Sequence, residues 1–280
     1  MVTDALRDWP LFAQFAADET TALEKLSTRF GKDVVIINDR APARHADAQR
    51  GRPQVSLRTT VTEYCAYCVN QSHQEASSAP RFYLNGWRAF NDHEELQNDC
   101  PMPYFMRDAD LTRDIMAQID AQLFDRSGAS LRQSPPWYEG MCRALWKLFV
   151  GPMGTVTRLH CDAGDAHGWL AQLTGTKLFV LFSPNDTAAL APIAGETETV
   201  QSDVDPLACA CDMSAWPTGA TPFIAVVKPG EAVIIPRGWW HYAASMGTSA
   251  TAQCNFYNEW NAAALTATVV RQIKGYKGKH

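Results

Sequence analysis

The sequence predicts a mainly β fold with helical elaboration, and two observations carry that prediction. From about residue 143 the apolar pattern changes to short strand-like runs: Leu145–Val150, Val156–Cys161, Trp169–Leu173, Lys177–Phe182, Phe223–Val227, Ala232–Ile235 and Ala250–Tyr257. Helical spacing, in contrast, is confined to the earlier part of the chain and to its end. Several short strands joined by tight turns argue for a barrel or a sandwich. The expected organisation is an N-terminal α/β extension over 1–135, a β core over 136–261, and a C-terminal helix and tail over 262–280.

Taken in order, residues 4–30 read as helical, with Ala22, Leu23, Leu26 and Phe30 at helical spacing and Gly31 as a C′ stop. Asp33 to Ile37 reads as a buried strand. Residues 39–58 carry Arg40, Arg44, Arg50, Arg52 and Arg58 among Pro42, Gly51 and Pro53. A solvated loop is the plain reading of such a run, and a basic arm that orders over an acidic substrate is the functional one. Residues 59–79 alternate weakly and run into the loop signal Ser77-Ser78-Ala79-Pro80, after which Arg81-Phe82-Tyr83-Leu84 is strand-like. Leu111, Ile115, Ile119 and Leu123 form one stripe of an amphipathic helix over 111–126. Thr174-Gly175-Thr176 and Lys228-Pro229-Gly230 are each expected to close a hairpin between their flanking strands. Between these lies a stretch without period, 185–221, long enough to serve as a substrate lid. A helix over 262–273 closes the chain before a basic tail.

Composition narrows the class. The 280 residues are 46% hydrophobic, enough for a full core, and the formal charge of -5 argues against wrapping a polyanion, so no nucleic-acid partner is expected. No apolar run reaches 18 residues, and the start lacks a basic region followed by an apolar one, so neither a membrane span nor a secretory signal is expected. The expected location is therefore cytoplasmic, with the eight cysteines reduced. Cys65/Cys68 and Cys209/Cys211 could in principle join as a four-thiolate zinc site, but one intervening residue in the second pair is short, and reduced thiols are the default.

The chemistry concentrates in two stretches. His160 and Asp162 stand two apart in strand-like sequence, a spacing that points both side chains to one face. A distal histidine, His241, ends the stretch VVKPGEAVIIPRGWWHYA. Two imidazoles and one carboxylate on one side of a metal make the facial triad that suits non-haem Fe(II), with the opposite side open. His-x-Asp or His-x-Glu also occurs at His45/Asp47, His73/Glu75 and His93/Glu95, where polar or turn-rich surroundings make solvated pairs the expectation. Only His160/Asp162 has alternating strand sequence around it, a lysine after it (Lys177) and a histidine far downstream. Cys161, between the two, is expected to point to the opposite face.

Five ordered pieces then carry a resemblance: RFYLNGW, VGPMGTVTRLHCD, WLAQLTGTKLFVLFSP, VVKPGEAVIIPRGWWHYA and QCNFYN, spread over roughly 80–260. In this order they resemble the JmjC-type, cupin-like Fe(II)/2-oxoglutarate oxygenases, in the branch that includes the asparaginyl hydroxylase acting on hypoxia-inducible factor. The resemblance implies a double-stranded β-helix, a jelly-roll barrel with the metal at its mouth. It implies His160, Asp162 and His241 as iron ligands. It also implies Lys177, Thr157 and Tyr83 as the grip on the distal carboxylate of 2-oxoglutarate, and Asn255 as a residue lining that pocket. Fe(II), 2-oxoglutarate and O2 are the implied cofactor and co-substrates.

One departure stands out: where many members place an asparagine that holds the keto-acid end, this chain reads Ala166-His167-Gly168. His167 is expected to take that contact or to face the substrate, and Arg237 to meet an acidic substrate. The implied reaction is hydroxylation of an amino acid, a peptide residue or a specialised metabolite, since Asp162 fills the place a halogenase keeps for chloride. A protein or ribosomal side-chain hydroxylase, a lysine demethylase and a non-catalytic metal-binding cupin are the alternatives, and a zinc hydrolase lacks a general base beside the triad. The closing segment 262–280 is the candidate contact for a homodimer.

Overall fold

A computed structural model describes residues 1–15, 18–40, 55–71, 80–123, 136–193 and 199–277. The arginine-rich stretch from 41 to 54 and the pairs His45/Asp47 and His73/Glu75 lie outside the described residues. The strands are β1 (Val34–Asp39), β2 (Ser56–Thr60), β3 (Phe82–Trp87), β4 (Trp146–Gly151), β5 (Val156–Cys161), β6 (His167–Thr174) and β7 (Lys177–Phe182). After them come β8 (Pro192–Ile193), β9 (Val200–Ser202), β10 (Phe223–Val227), β11 (Ala232–Ile235), β12 (Trp240–Ser245) and β13 (Ser249–Phe256).

Two antiparallel sheets result, ordered β11-β6-β13-β4-β3-β1-β2 and β10-β7-β12-β5-β9-β8. Through the core the chain crosses from one sheet to the other at almost every turn: β4, β6, β11 and β13 lie in the first sheet, β5, β7, β10 and β12 in the second. This is the double-stranded β-helix. It also corrects the two expected hairpins. Gly175 and Gly230 do take left-handed φ, 67° and 86°, as tight turns require. The strands they join do not pair, however: β6 pairs with β11 and β13, and β7 with β10 and β12. Each turn is a corner between sheets, a distinction that local turn chemistry does not encode.

Apolar faces follow from the alternation of each strand. Phe179, Leu181, Val227, Val233, Ile235 and Ala243 fill the space between the sheets. On the outer face of the first sheet, Trp146, Leu148, Val150, Trp169, Ala171 and Leu173 pack against Leu11, Phe15, Leu23, Leu26 and Phe30 of the helices Pro10–Phe15 and Glu19–Phe30. Each such fully buried large side chain stabilises the fold by about 1.5–3 kcal/mol. The outer face of the second sheet, with Val156, Val180, Phe182, Trp240 and Tyr242, is covered by Leu190, Leu207 and Trp216 of the insert. Cys161 packs into this cluster, on the face away from His160. The insert is therefore a packed cover, and β9 ties it to β5 by pairing Gln201 with His160.

Other local readings change. The segment expected to alternate weakly is a helix, Val61–Gln71, whose Val61, Tyr64, Cys65 and Cys68 are buried against the sheet. β1 is only half buried: Val35 and Ile37 face in, while Val34 and Ile36 are exposed, so the strand alternates. Gly31 ends its helix in a right-handed conformation, φ -56°. The glycine is required there for space, because a Cβ would lie 2.2 Å from the Ser27 carbonyl oxygen and 2.3 Å from Thr62 Oγ1. The closing helix Ala262–Lys277 packs Leu265 and Val269 on Ile115, Met116 and Ile119 of the helix Thr112–Leu123. No helix among the described residues is long and apolar enough to cross a membrane. All eight cysteines are free.

At the β6–β7 corner, a Cβ on Gly175 would approach the Thr248 carbonyl oxygen to 2.2 Å at a φ that side chains rarely adopt. Gly175→Ala is expected to destabilise the protein by about 1–3 kcal/mol, read as a lower urea midpoint at unchanged m-value. A midpoint equal to wild type would show that the corner tolerates the rearrangement.

Candidate metal centre

Antiparallel pairing of β12 with β5 sets His241 directly opposite His160. Asp162 follows one residue after β5 ends, with extended backbone. The ligand atoms of the three residues lie within 4.8 Å of one another. His160 Nε2 is 3.5 Å and His241 Nε2 3.9 Å from Asp162 Oδ1. Both imidazoles are oriented by the same device. His160 Nδ1 is 2.7 Å from the Arg158 carbonyl oxygen and His241 Nδ1 is 3.2 Å from that of Trp239. An Nδ1–H donated to a carbonyl places the lone pair on Nε2, the arrangement that metal-bound histidines use. Asp162 is held in a matching way: Asn255 Nδ2 donates to Oδ2 at 2.8 Å, leaving Oδ1 turned toward the histidines.

The electrostatics suit a cation. Burial raises the Asp162 carboxyl, but the two imidazoles beside it and the charge of Lys147 outweigh that and hold the group ionised, well below the usual carboxylate range. Burial, with His160 beside it, lowers His241 to about 4, so it is a neutral ligand at neutral pH.

The three residues form one wall of a cavity of about 270 Å³. Lys177 lies at its other end, 2% exposed, where Nζ donates to Tyr83 Oη at 2.8 Å and sits 5.5 Å from the centre of the Phe149 ring. Thr157 is hydrogen-bonded to the same phenol. No carboxylate among the described residues pairs with Lys177, and burial alone lowers its ammonium to about 7. Thr157 and His160 both line the cavity although they are three residues apart. Strand alternation would put them on opposite faces. The β5–β12 pairing slips by one residue between His241 and Ala243, and that irregularity restores both to the inside.

Six of the residues expected at this site are thus brought together around one cavity: His160, Asp162, His241, Lys177, Thr157 and Tyr83. Three others are placed differently. Asn255 contacts Asp162, Gln253 and Lys147, and so supports the carboxylate from behind the lining residues. His167 lies on the face of β6 that also carries Trp169 and Ala171 toward the helices, and stacks on Phe256 at 5.0 Å. It accepts the Arg237 backbone N–H at 3.0 Å and is not among the residues that line the cavity. Arg237 itself pairs with Asp165, joining the loop after Asp162 to the loop before β12. Gly168, not His167, faces the centre: a Cβ there would be 3.3 Å from Asp162 Oδ2. Lys147, Gln253 and Asn85, on β4, β13 and β3, line the cavity and had no signal in the sequence beyond strand alternation; Arg88, just after β3, lines it with no such signal.

A double-stranded β-helix with two histidines and a carboxylate converging at its mouth defines a cupin-type candidate metalloprotein. The family model for the cupin-like domain matches residues 1–262, and the chain belongs to that family. Among curated relatives, the Jumonji C domain-containing protein 5 of Drosophila melanogaster is 32% identical over 105 residues, 37% of this chain and 25% of its own. The arginine-specific demethylase JMJ20 of Arabidopsis thaliana is 20% identical over 265 residues, 93% of this chain and 52% of its own. The 2-oxoglutarate and iron-dependent oxygenase JMJD4 of Mus musculus is 25% identical over 117 residues, 41% of this chain and 26% of its own. The matches to these three thus span from a quarter to about half of the relatives' lengths.

Asn255→Ala removes the donor that fixes Asp162. Affinity for Mn(II), measured by anaerobic titration, is expected to fall about 10–100-fold, the usual effect of losing a ligand's supporting hydrogen bond. Unchanged affinity would mean that Asp162 needs no such support.

Proposed function

We propose that this chain is an Fe(II)- and 2-oxoglutarate-dependent dioxygenase that hydroxylates a C–H bond of an amino acid, a peptide residue or a small metabolite. The observation that carries the reading is the pairing, in one cavity, of an oriented His/Asp/His group with a buried lysine that lacks a counter-charge. Relatives named as 2-oxoglutarate and iron-dependent oxygenases support the general class. His160, Asp162 and His241 would hold the iron and Lys177 the far carboxylate of 2-oxoglutarate. The iron and its keto acid, when bound, supply the oxidising chemistry, which no side chain here can supply alone.

The protein's own residues do the rest. Hydrogen bonds from Nδ1 to main-chain carbonyls fix both imidazoles before a metal arrives. An anion at Lys177 meets a charged donor, a phenol and a threonine hydroxyl around a buried ammonium, where such pairs are strong. Leu170, Phe179 and Ala243 add apolar surface to the cavity lining, which disfavours water beside them. The single carboxylate among the three grouped residues occupies the position that would otherwise be open to a halide, which favours hydroxylation.

Fe(II) and 2-oxoglutarate added without oxygen are expected to give a visible charge-transfer band, and Asp162→Ala to lose both the band and 2-oxoglutarate-dependent product. A band or product that survives this substitution would defeat the proposal. Lys177 supplies an independent test. With its folded value near 7 against an ordinary 10.5, the buried ammonium is a full burden on stability below pH 7, and the burden fades as pH rises toward 10.5. Lys177→Met is therefore expected to keep or raise the melting temperature at pH 6 while weakening 2-oxoglutarate binding by about 2–5 kcal/mol. Since the lysine must be protonated to meet the dianion, wild-type affinity for 2-oxoglutarate is expected to be level below about pH 7 and to weaken above it. Calorimetric titration across pH 6–9 reads this directly, and a flat profile with an unchanged Lys177→Met affinity would exclude the lysine as the anchor.

A further inference from the structure

The cavity holds more positive charge than the proposed co-substrate can satisfy. Arg88, Lys147 and Lys177 line it, against a single carboxylate, Asp162. Lys177 is fully buried; Lys147 and Arg88 line the same cavity, and the charge of Arg88 acts against that of Lys147. Lys147 is on the inward face of β4, and its only hydrogen bond among the described residues is a long one, 3.4 Å, to Asn255 Oδ1. Arg88 follows directly after β3, is exposed, and makes no ion pair among the described residues. Asp162 is the carboxylate that favours the charged form of Lys147, and a bound metal would take up that charge. A metal dication and three cationic side chains then face one carboxylate and a dianionic keto acid, which leaves about two positive charges at the rim. A like-charge pair in a partly buried place is unfavourable unless an anion bridges it.

Resting on the dioxygenase reading above, we propose that Lys147 and Arg88 form a carboxylate-binding subsite for the substrate, which is a small molecule bearing a free carboxylate. Such a pair offers a guanidinium fork and an ammonium to one carboxylate from two sides. It positions the carbon next to or near that carboxylate beside the metal group, because Lys147 reaches Asn255, which holds Asp162. The same two charges repel an arginine or lysine side chain, so a cationic peptide substrate is disfavoured by this rim.

The test uses the full chain with Fe(II) and 2-oxoglutarate. The anaerobic charge-transfer band is read first; its absence counts against the dioxygenase reading itself and is scored separately. A cellular small-molecule extract is then divided by anion exchange into an acidic fraction and a neutral-plus-cationic fraction. Each is treated with enzyme and searched by mass spectrometry for a 2-oxoglutarate-dependent gain of one oxygen. The expected gain arises in the acidic fraction. Lys147→Met and Arg88→Met are expected to raise the KM for that substrate tenfold or more, and Lys147→Arg to restore most of the loss. A gain arising only in the other fraction, or none in the acidic fraction while the band forms, overturns the subsite. So does a Lys147→Met variant whose defect is weakened 2-oxoglutarate binding, because Lys147 would then hold the co-substrate.

Discussion

Everything at this site depends on the antiparallel ladder between β5 and β12. Direct opposition of His160 and His241 across that ladder brings residues eighty-one positions apart to a ring separation of 4.1 Å. Backbone hydrogen bonding along the ladder sets the two histidines side by side. The one-residue slip farther along the ladder has an equal consequence, since it turns Thr157 inward beside His160 and joins the metal group to the Lys177 end. Without it Thr157 would face away from the cavity that His160 lines.

The site is costly to fold, and the surrounding packing offsets that cost. Below about pH 7, keeping Lys177 charged without a counter-ion disfavours the fold by roughly 4–5 kcal/mol. A few fully buried aromatic residues, such as Trp169, Trp240, Phe179 and Phe182, contribute a comparable amount, each about 1.5–3 kcal/mol. Strain of this kind is what an anion-binding site stores: a ligand that supplies the missing charge is bound partly by relieving it. The rim follows the same logic, with Lys147 and Arg88 adjacent and short of negative partners.

The residues that show through in the sequence are those whose chemistry is rare in their surroundings. A histidine and an aspartate two apart in strand sequence, a lysine opening an apolar run and a histidine after two tryptophans are each unusual, and all four converge in space. Strand positions are readable for the same reason, because alternation is a local property. What does not show is anything set by which strands pair. The Thr174-Gly175-Thr176 corner has the chemistry of a hairpin, and only the sheet topology makes it a crossing. Lys147 looks like the polar position of any half-exposed strand. His167 and Gly168 differ by one place, and a one-residue change of parity sends the imidazole to the helices and the glycine to the metal centre. The helix Val61–Gln71 is rich in β-branched and aromatic residues, so its local preference points away from its tertiary state.

The central claim is geometric, and a crystal grown without oxygen in Mn(II) and 2-oxoglutarate tests it most directly. The account requires one anomalous peak bonded to Nε2 of His160, Nε2 of His241 and Oδ1 of Asp162, with the far carboxylate of the keto acid against Lys177. A metal bound elsewhere, or a keto acid whose far end lies away from Lys177, would contradict it.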